Sequence, residues 1–328
     1  MGWRRFRLGT VGDRFESPYA RPNIPRAHWQ RLLSCGGRNL AWSTLLVVVT
    51  FSLRTVVFGG DVSVRPPLPE VRAIEIPIKL YQGYLIVVEG RLGNLEHQHL
   101  LLDTGTNPSM IDTKISAKLG LQSTTRGLAL LNKNVASKSV TLPDLQFGPL
   151  HRQNLEVMVA DFSGIGGRVG TRIDAVIGLD VLGATSFTVD YTQRRIFFRA
   201  SMEPHTAPFT AGQQFIMVNL KSGGRQLHLL FDTGTPQLVL FESRLSGIDY
   251  AWSAVTGRGQ NVSGNYPYGT IVLQQARIGT QEVGPQRAAV VASRKEIESD
   301  LDGLIGVACL HPKRLSFDFE RHILGWSD

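Results

Sequence analysis

Cysteine is almost missing from this sequence. Among 328 residues there are two, Cys35 and Cys309, which excludes the disulfide framework that staples many small secreted domains. Cys309 sits in an apolar setting and reads as a small buried residue. A zinc-type cluster is also lacking. His97-Gln98-His99 is the nearest thing to a metal pair, and with no Cys/His partners elsewhere it reads as polar residues on an exposed hairpin. Net positive charge is scarce beyond the first stretch of chain. The net charge is +8, but residues 1–38 hold eight Arg against Asp13 and Glu16, a net of +6, so the other 290 residues carry only +2. A body so nearly neutral is not a nucleic-acid binder, and the basic character belongs to the tail. The glycine-rich Gly164–Gly170 misses the spacing of a dinucleotide fingerprint and reads as a loop.

Long apolar runs are few, and one stands out. Leu40–Leu53 is fourteen residues without a charge, directly behind the Arg-rich tail. A membrane span needs about 20 residues. Counting on through Phe58 gives 19 with a single Arg54, whose side chain can snorkel to the interface. Residues 39–58 therefore read as a single-pass anchor, with a cleaved signal peptide as the competing reading. The basic flank predicts a cytoplasmic N-terminus and an extracytoplasmic body; under the competing reading the body is secreted. Gly59-Gly60 and Pro66-Pro67-Leu68-Pro69 make residues 59–71 a semi-rigid linker.

Beyond the linker the chain repeats itself. Asp103-Thr104-Gly105-Thr106 returns as Asp232-Thr233-Gly234-Thr235, each behind an apolar lead-in, Leu100-Leu101-Leu102 and Leu229-Leu230-Phe231. One Asp-Thr-Gly alone is weak, since it turns up by chance in about one chain in ten of this length. The second signal removes that reading. Asp174-Ala175-Val176-Ile177-Gly178 follows Asp103 by 71 residues, and Asp302-Gly303-Leu304-Ile305-Gly306 follows Asp232 by 70. The match continues without a gap, with Leu182, Phe187, Asp190 and Tyr191 standing 128 residues before Leu310, Leu315, Asp318 and Phe319. A repeat of about 130 residues is long for a solenoid and fits two lobes of one body, residues 72–200 and 201–328. Short β-branched and apolar runs separated by turn residues, such as Tyr84–Val88, Leu155–Val159 and Ala288–Val291, predict strands. Asp112 is placed to cap a helix over Thr113–Leu119 closed by Gly120, with Ser243–Leu245 as its shorter counterpart.

These motifs resemble those of the aspartic protease clan that includes pepsins and retropepsins, in the style of its single-chain bacterial members. The resemblance covers about residues 72–328 and implies an all-β, bilobal acid protease fold with two pseudo-symmetric lobes. It departs from the retropepsin pattern where Leu179-Asp180 and Val307-Ala308 replace an Arg after Ile-Gly, and where Asn107 and Pro236 replace an acid after the first motif.

The implied activity is that of an endopeptidase with Asp103 and Asp232 as catalytic residues. Two carboxylates about 3 Å apart cannot both ionise, so one keeps a proton while the other activates water. Gly105 and Gly234 let the two loops approach closely. The resemblance further implies that Thr104 and Thr233 tie the loops together across the interface. The hydroxyls of Thr106 and Thr235 are placed to hydrogen-bond the outer carboxylate oxygens. Ile177-Gly178 and Ile305-Gly306 form the second motif. The chemistry calls for no metal and no organic cofactor. The partner is an extended peptide or protein substrate, covered by a hairpin flap, Gly127–Val140 or Thr256–Tyr268. With both halves of the site on one chain, the body is expected to work as a monomer. The alternative is a membrane-tethered, non-catalytic peptide-binding module on the same fold.

Overall fold

The computed structural model describes residues 74–129, 134–210, 215–261, 264–292 and 301–328. The Arg-rich tail, the candidate anchor at 39–58, the linker and Cys35 lie outside them. Among the described residues no helix is long and apolar enough to cross a membrane.

The repeat seen in the sequence is a repeat of sheets. Among the described residues an eight-stranded sheet spans Lys79 to Ile177 and a nine-stranded sheet spans Met217 to Gly306. Each contains a hairpin that ends in an Asp-Thr-Gly loop. In the first, Leu85–Leu92 pairs antiparallel with Leu95–Leu102. In the second, Met217–Ser222 pairs antiparallel with Arg225–Asp232. The tight turns place Gly93 and Gly223 at φ +58, a conformation that glycine adopts without a Cβ penalty.

Burial explains the apolar lead-ins. Along Leu85–Val88 and Leu100–Leu102, alternate side chains enter two different clusters on the two faces of the sheet. Both faces are covered there, so the strands read as continuous hydrophobic runs instead of alternating ones. The polar ends of these strands face solvent.

A third, six-stranded sheet joins the two halves. Its order is Glu75–Pro77, Arg195–Phe197, Phe187–Asp190, Arg314–Asp318, Ile323–Ser327, His205–Pro208. The three strands on one side come from the first repeat and the three on the other from the second. At the centre Phe187–Asp190 runs antiparallel to Arg314–Asp318. Phe187 packs on Phe317 with ring centroids 4.7 Å apart, so the junction is an aromatic core and not a linker.

Helices are few and short. Asp112 caps Thr113–Lys118, accepting the Lys114 N–H at 2.8 Å, and Gly120 closes the turn at φ +63. The counterpart in the second half is a single 3-10 turn, Glu242–Arg244. The glycine-rich stretch expected as a loop is instead a helix, Ser163–Val169. Glycine disfavours a helix, but here tertiary contacts outweigh propensity. Val169 is buried, Ile165 packs against the same cluster one turn earlier, and Phe162 anchors the entry. The Asp112 carboxylate accepts the Phe162 N–H at 2.9 Å, so one acid holds the starts of two helices. His97, expected among exposed polar residues, is 82 % exposed and pairs with Glu89. Cys309 is buried, and burial pushes its thiol up to about 12.

Candidate active site

The two Asp-Thr-Gly loops meet face to face. The Thr104 N–H donates to Thr233 Oγ1 at 3.0 Å, and the Thr104 hydroxyl donates to the Phe231 carbonyl at 2.8 Å. The reciprocal pair runs from the Thr233 N–H to Thr104 Oγ1 at 3.1 Å and from the Thr233 hydroxyl to the Leu102 carbonyl at 3.2 Å. Each threonine thus satisfies a backbone donor and a backbone acceptor of the other loop. Both are buried, where unpaired groups would be costly.

This clasp sets the approach of the acids. A Cβ added to Gly105 would stand 2.5 Å from Asp232 Cγ, and one on Gly234 would stand 2.9 Å from Asp103 Cγ. Each glycine therefore lies against the carboxylate of the opposite loop, and no other residue fits. Within its own loop each Asp accepts two hydrogen bonds. Asp103 takes the Gly105 N–H at 2.8 Å and the Thr106 hydroxyl at 2.7 Å. Asp232 takes the Gly234 N–H at 2.7 Å and the Thr235 hydroxyl at 2.6 Å.

The second motif lies beneath each loop. Ala175–Ile177 pairs parallel with the Asp103 strand, between it and Met110–Asp112. Gly303–Gly306 sits in the same way between Arg225–Asp232 and Leu238–Phe241. The Leu179 N–H donates to the Thr106 carbonyl at 3.0 Å and the Val307 N–H to the Thr235 carbonyl at 3.1 Å. A Cβ on Gly178 or Gly306 would collide with those same carbonyls, which is why the motif ends in glycine. Its leading acids brace the Asp strands. Buried Asp174 accepts the His99 N–H at 2.8 Å and pairs with Arg172 at 2.9 Å. Buried Asp302 accepts the His228 N–H at 2.9 Å and pairs with Arg225 at 2.8 Å.

The structure adds a brace that the sequence reading passed over. Asp180, two positions beyond Gly178 of the second motif, accepts the Ser109 N–H at 2.9 Å and its hydroxyl at 2.6 Å. Ser109 in turn accepts the Gly178 N–H at 2.8 Å. The first loop is thus tied within its own half.

The near-symmetry of sequence ends at the electrostatics. Asp232 is buried at 7 % exposure, whereas Asp103 is more open. Burial, then the charge of Asp103, holds the Asp232 carboxyl well above the usual carboxylate range, against the pull of the Thr235 and Gly234 hydrogen bonds.

A cleft of about 270 Å³ opens over the pair. Its wall is apolar, with Leu85, Leu101, Met110, Ile165 and Val176, and its rim carries Gln82, Tyr84, Arg168 and Tyr266. Burial first, then the Asp232 charge, pushes the Tyr84 hydroxyl up to about 12 and raises that of Tyr266. Both flap candidates are hairpins, Ser123–Ala129 with Asn134–Phe147 and Tyr250–Asn261 with Gly264–Leu273; residues 130–133 and 262–263 lie outside the described ones. Among the described residues the cleft is lined by Tyr266 of the second hairpin and by none of the first. The rings of Tyr266 and Tyr268 lie over Gly259 and Gly257 of the facing strand. Tyr266 was legible as part of the flap candidate Thr256–Tyr268, whereas Tyr84, expected to begin a strand, lies in the turn ahead of Leu85–Leu92, and nothing local marks a tyrosine that will face a distant carboxylate.

Residues 88–181 match the family model described as "Aspartyl protease". The match contains Asp103–Thr106 and Ile177-Gly178, and the family recognised from the doubled motif is the one this model describes. No curated protein matches the chain. Among solved structures the chain is similar to an aspartic proteinase from Irpex lacteus, at 14 % identity and a TM-score of 0.46, over 78 % of this chain and 97 % of that one.

Proposed function

We propose that this chain is an aspartic endopeptidase that hydrolyses extended peptides with Asp103 and Asp232. The observation that carries the reading is the mutual approach of the two loops, each glycine lying against the other loop's carboxylate. That arrangement serves one reaction and adds little to stability, since burying two acids together is unfavourable.

In this mechanism the more open carboxylate, Asp103, takes a proton from a water held between the pair, and the water attacks the peptide carbonyl. Asp232, kept neutral by burial and by its neighbour, donates its proton to the carbonyl oxygen as the tetrahedral intermediate forms. Collapse of the intermediate breaks the C–N bond, and a proton passes to the leaving nitrogen. Thr106 and Thr235 orient the two carboxylates through their outer oxygens.

The body acts as a monomer, because the two loops lie on one chain. Residues 39–58 anchor it with the body outside the cytoplasm, a reading supported by the apolar run behind eight arginines. Cleavage of a peptide library by the full chain, with and without a transition-state peptide inhibitor of aspartic proteases, tests the activity. Inhibitor-sensitive cleavage is expected; no cleavage across acidic and neutral pH would refute it.

A further inference from the structure

Among the described residues that line the cleft, Arg168 is the one cation, and no described carboxylate pairs with it. It stands near the end of the Ser163–Val169 helix, whose backbone is held on several sides. Val169 is buried, Gly170 closes the helix at φ +83, and Gln82 Nε2 donates to the Arg168 carbonyl at 3.0 Å. The guanidinium crosses the cleft to the opposite hairpin, where Nη2 donates to Asn265 Oδ1 at 3.3 Å. It also opposes the upward shift of both Tyr84 and Tyr266, so its charge is felt on both sides of the cleft.

An apolar wall with one cation at its rim has a definite complement. An extended peptide presents side chains i and i+2 on one face, about 6.6 Å apart. An apolar side chain fills the wall of Leu85, Leu101, Met110 and Val176 while a nearby acid meets the guanidinium. The present partner of Arg168 is a neutral amide oxygen at the long end of hydrogen-bond distance. A carboxylate offers a shorter, charge-assisted and bidentate contact, and displaces it.

We propose that Arg168 is a specificity-determining residue that selects peptides carrying Asp or Glu within a few positions of the scissile bond, the substrate carboxylate replacing Asn265 on the guanidinium. This rests on the endopeptidase reading for its peptide ligand. Since the arginine is exposed to solvent, the expected discrimination is about threefold to fivefold.

The test uses matched peptides that differ only as Glu, Gln or Lys at each position from four before to four after the cleaved bond. With the full chain, kcat/KM favours Glu over Gln at one position by about threefold to fivefold, the Glu-to-Gln ratio falls toward one in Arg168→Ala, and Arg168→Glu favours Lys over Glu at that position. Arg168→Lys restores part of the preference. Equal cleavage of Glu and Gln peptides at every position, or a preference that survives Arg168→Glu, overturns the proposal and leaves the endopeptidase reading standing. Equilibrium binding of the same peptides to the Asp103→Asn chain separates the reverse case. Glu-selective, Arg168-dependent binding without cleavage by the wild type upholds this inference and refutes the endopeptidase. Neither binding nor cleavage refutes both.

Discussion

Thr188 and Ser316 share a hydrogen bond at 3.1 Å, directly opposite each other where the two halves of the molecule join. They stand 128 residues apart, the same offset that relates Phe187 to Leu315 and Asp190 to Asp318 in the repeat. Equivalent residues of the two repeats therefore meet on the pseudo-two-fold axis, with Phe187 opposite Phe317 and Val189 opposite Leu315 on either side. Both hydroxyls are buried, and Ser316 Oγ also accepts the Ser201 N–H at 2.9 Å. Ser316→Ala strands that N–H, while the Thr188 hydroxyl keeps the Arg199 carbonyl and the Ser201 hydroxyl as partners. A loss of about 1–3 kcal/mol in urea unfolding is expected; a loss near zero would show that the seam hydroxyls do not hold the halves together.

The threonine clasp makes a sharper claim about stability. Thr104→Val keeps the shape but removes the acceptor of the Thr233 N–H and the donor to the Phe231 carbonyl. Two buried groups lose their partners, so a cost of about 2–4 kcal/mol is expected, with Thr104→Ser losing far less. Comparable unfolding midpoints for the Val and Ser variants would sink the argument.

Each acid has a separate task, so Asp103→Asn and Asp232→Asn should each reduce kcat by at least about a thousandfold with far-ultraviolet circular dichroism unchanged. Near-full activity in either variant would dissolve the shared site. Gly105→Ala tests the same geometry from the other side. Its Cβ would stand 2.5 Å from Asp232 Cγ, and activity should be lost although no carboxylate has been altered.

The raised Asp232 carboxyl has consequences for pH. A carboxyl whose folded pKa lies above its ordinary value of 3.8 binds its proton more tightly in the folded state. Its stabilising contribution is full below about pH 4 and is lost as pH rises through the folded value. Urea midpoints of the wild type should therefore fall as pH rises above the ordinary carboxylate range, and this fall should flatten in Asp232→Asn. Activity needs Asp232 protonated, so its deprotonation forms the alkaline limb of the rate profile. Thr235→Ala removes a hydrogen bond that lowers this pKa and should move the alkaline limb to higher pH. Movement to lower pH would show that Thr235 does not favour the ionised form.

Tyr266 reaches the cleft because its ring lies over Gly259. A side chain at 259 pushes the ring aside, so Gly259→Val and Tyr266→Ala should lower kcat/KM through the same lost contact. The double variant should then be no worse than the poorer single one. Additive losses would mean that the glycine acts elsewhere.

Much of this molecule follows from the sequence alone. The doubled Asp-Thr-Gly-Thr and the doubled Ile-Gly are local solutions to steric problems, a loop pressed against a carboxylate and a strand passing under a carbonyl, and such problems admit only glycine. They are therefore written at fixed places in the chain, as are the Asp112 cap and the turns at Gly93 and Gly223. What depends on distant contacts was not legible. The Ser163–Val169 helix forms against its own glycines because Ile165 and Val169 find an apolar cluster from other strands. The cleft takes its aromatic rim from Tyr84 and Tyr266, which lie 182 positions apart. Above all, the sequence presents Asp103 and Asp232 as equals. Only the tertiary structure separates them, because the two halves bury their acids to unequal depth, and burial raises the Asp232 carboxyl above the usual carboxylate range.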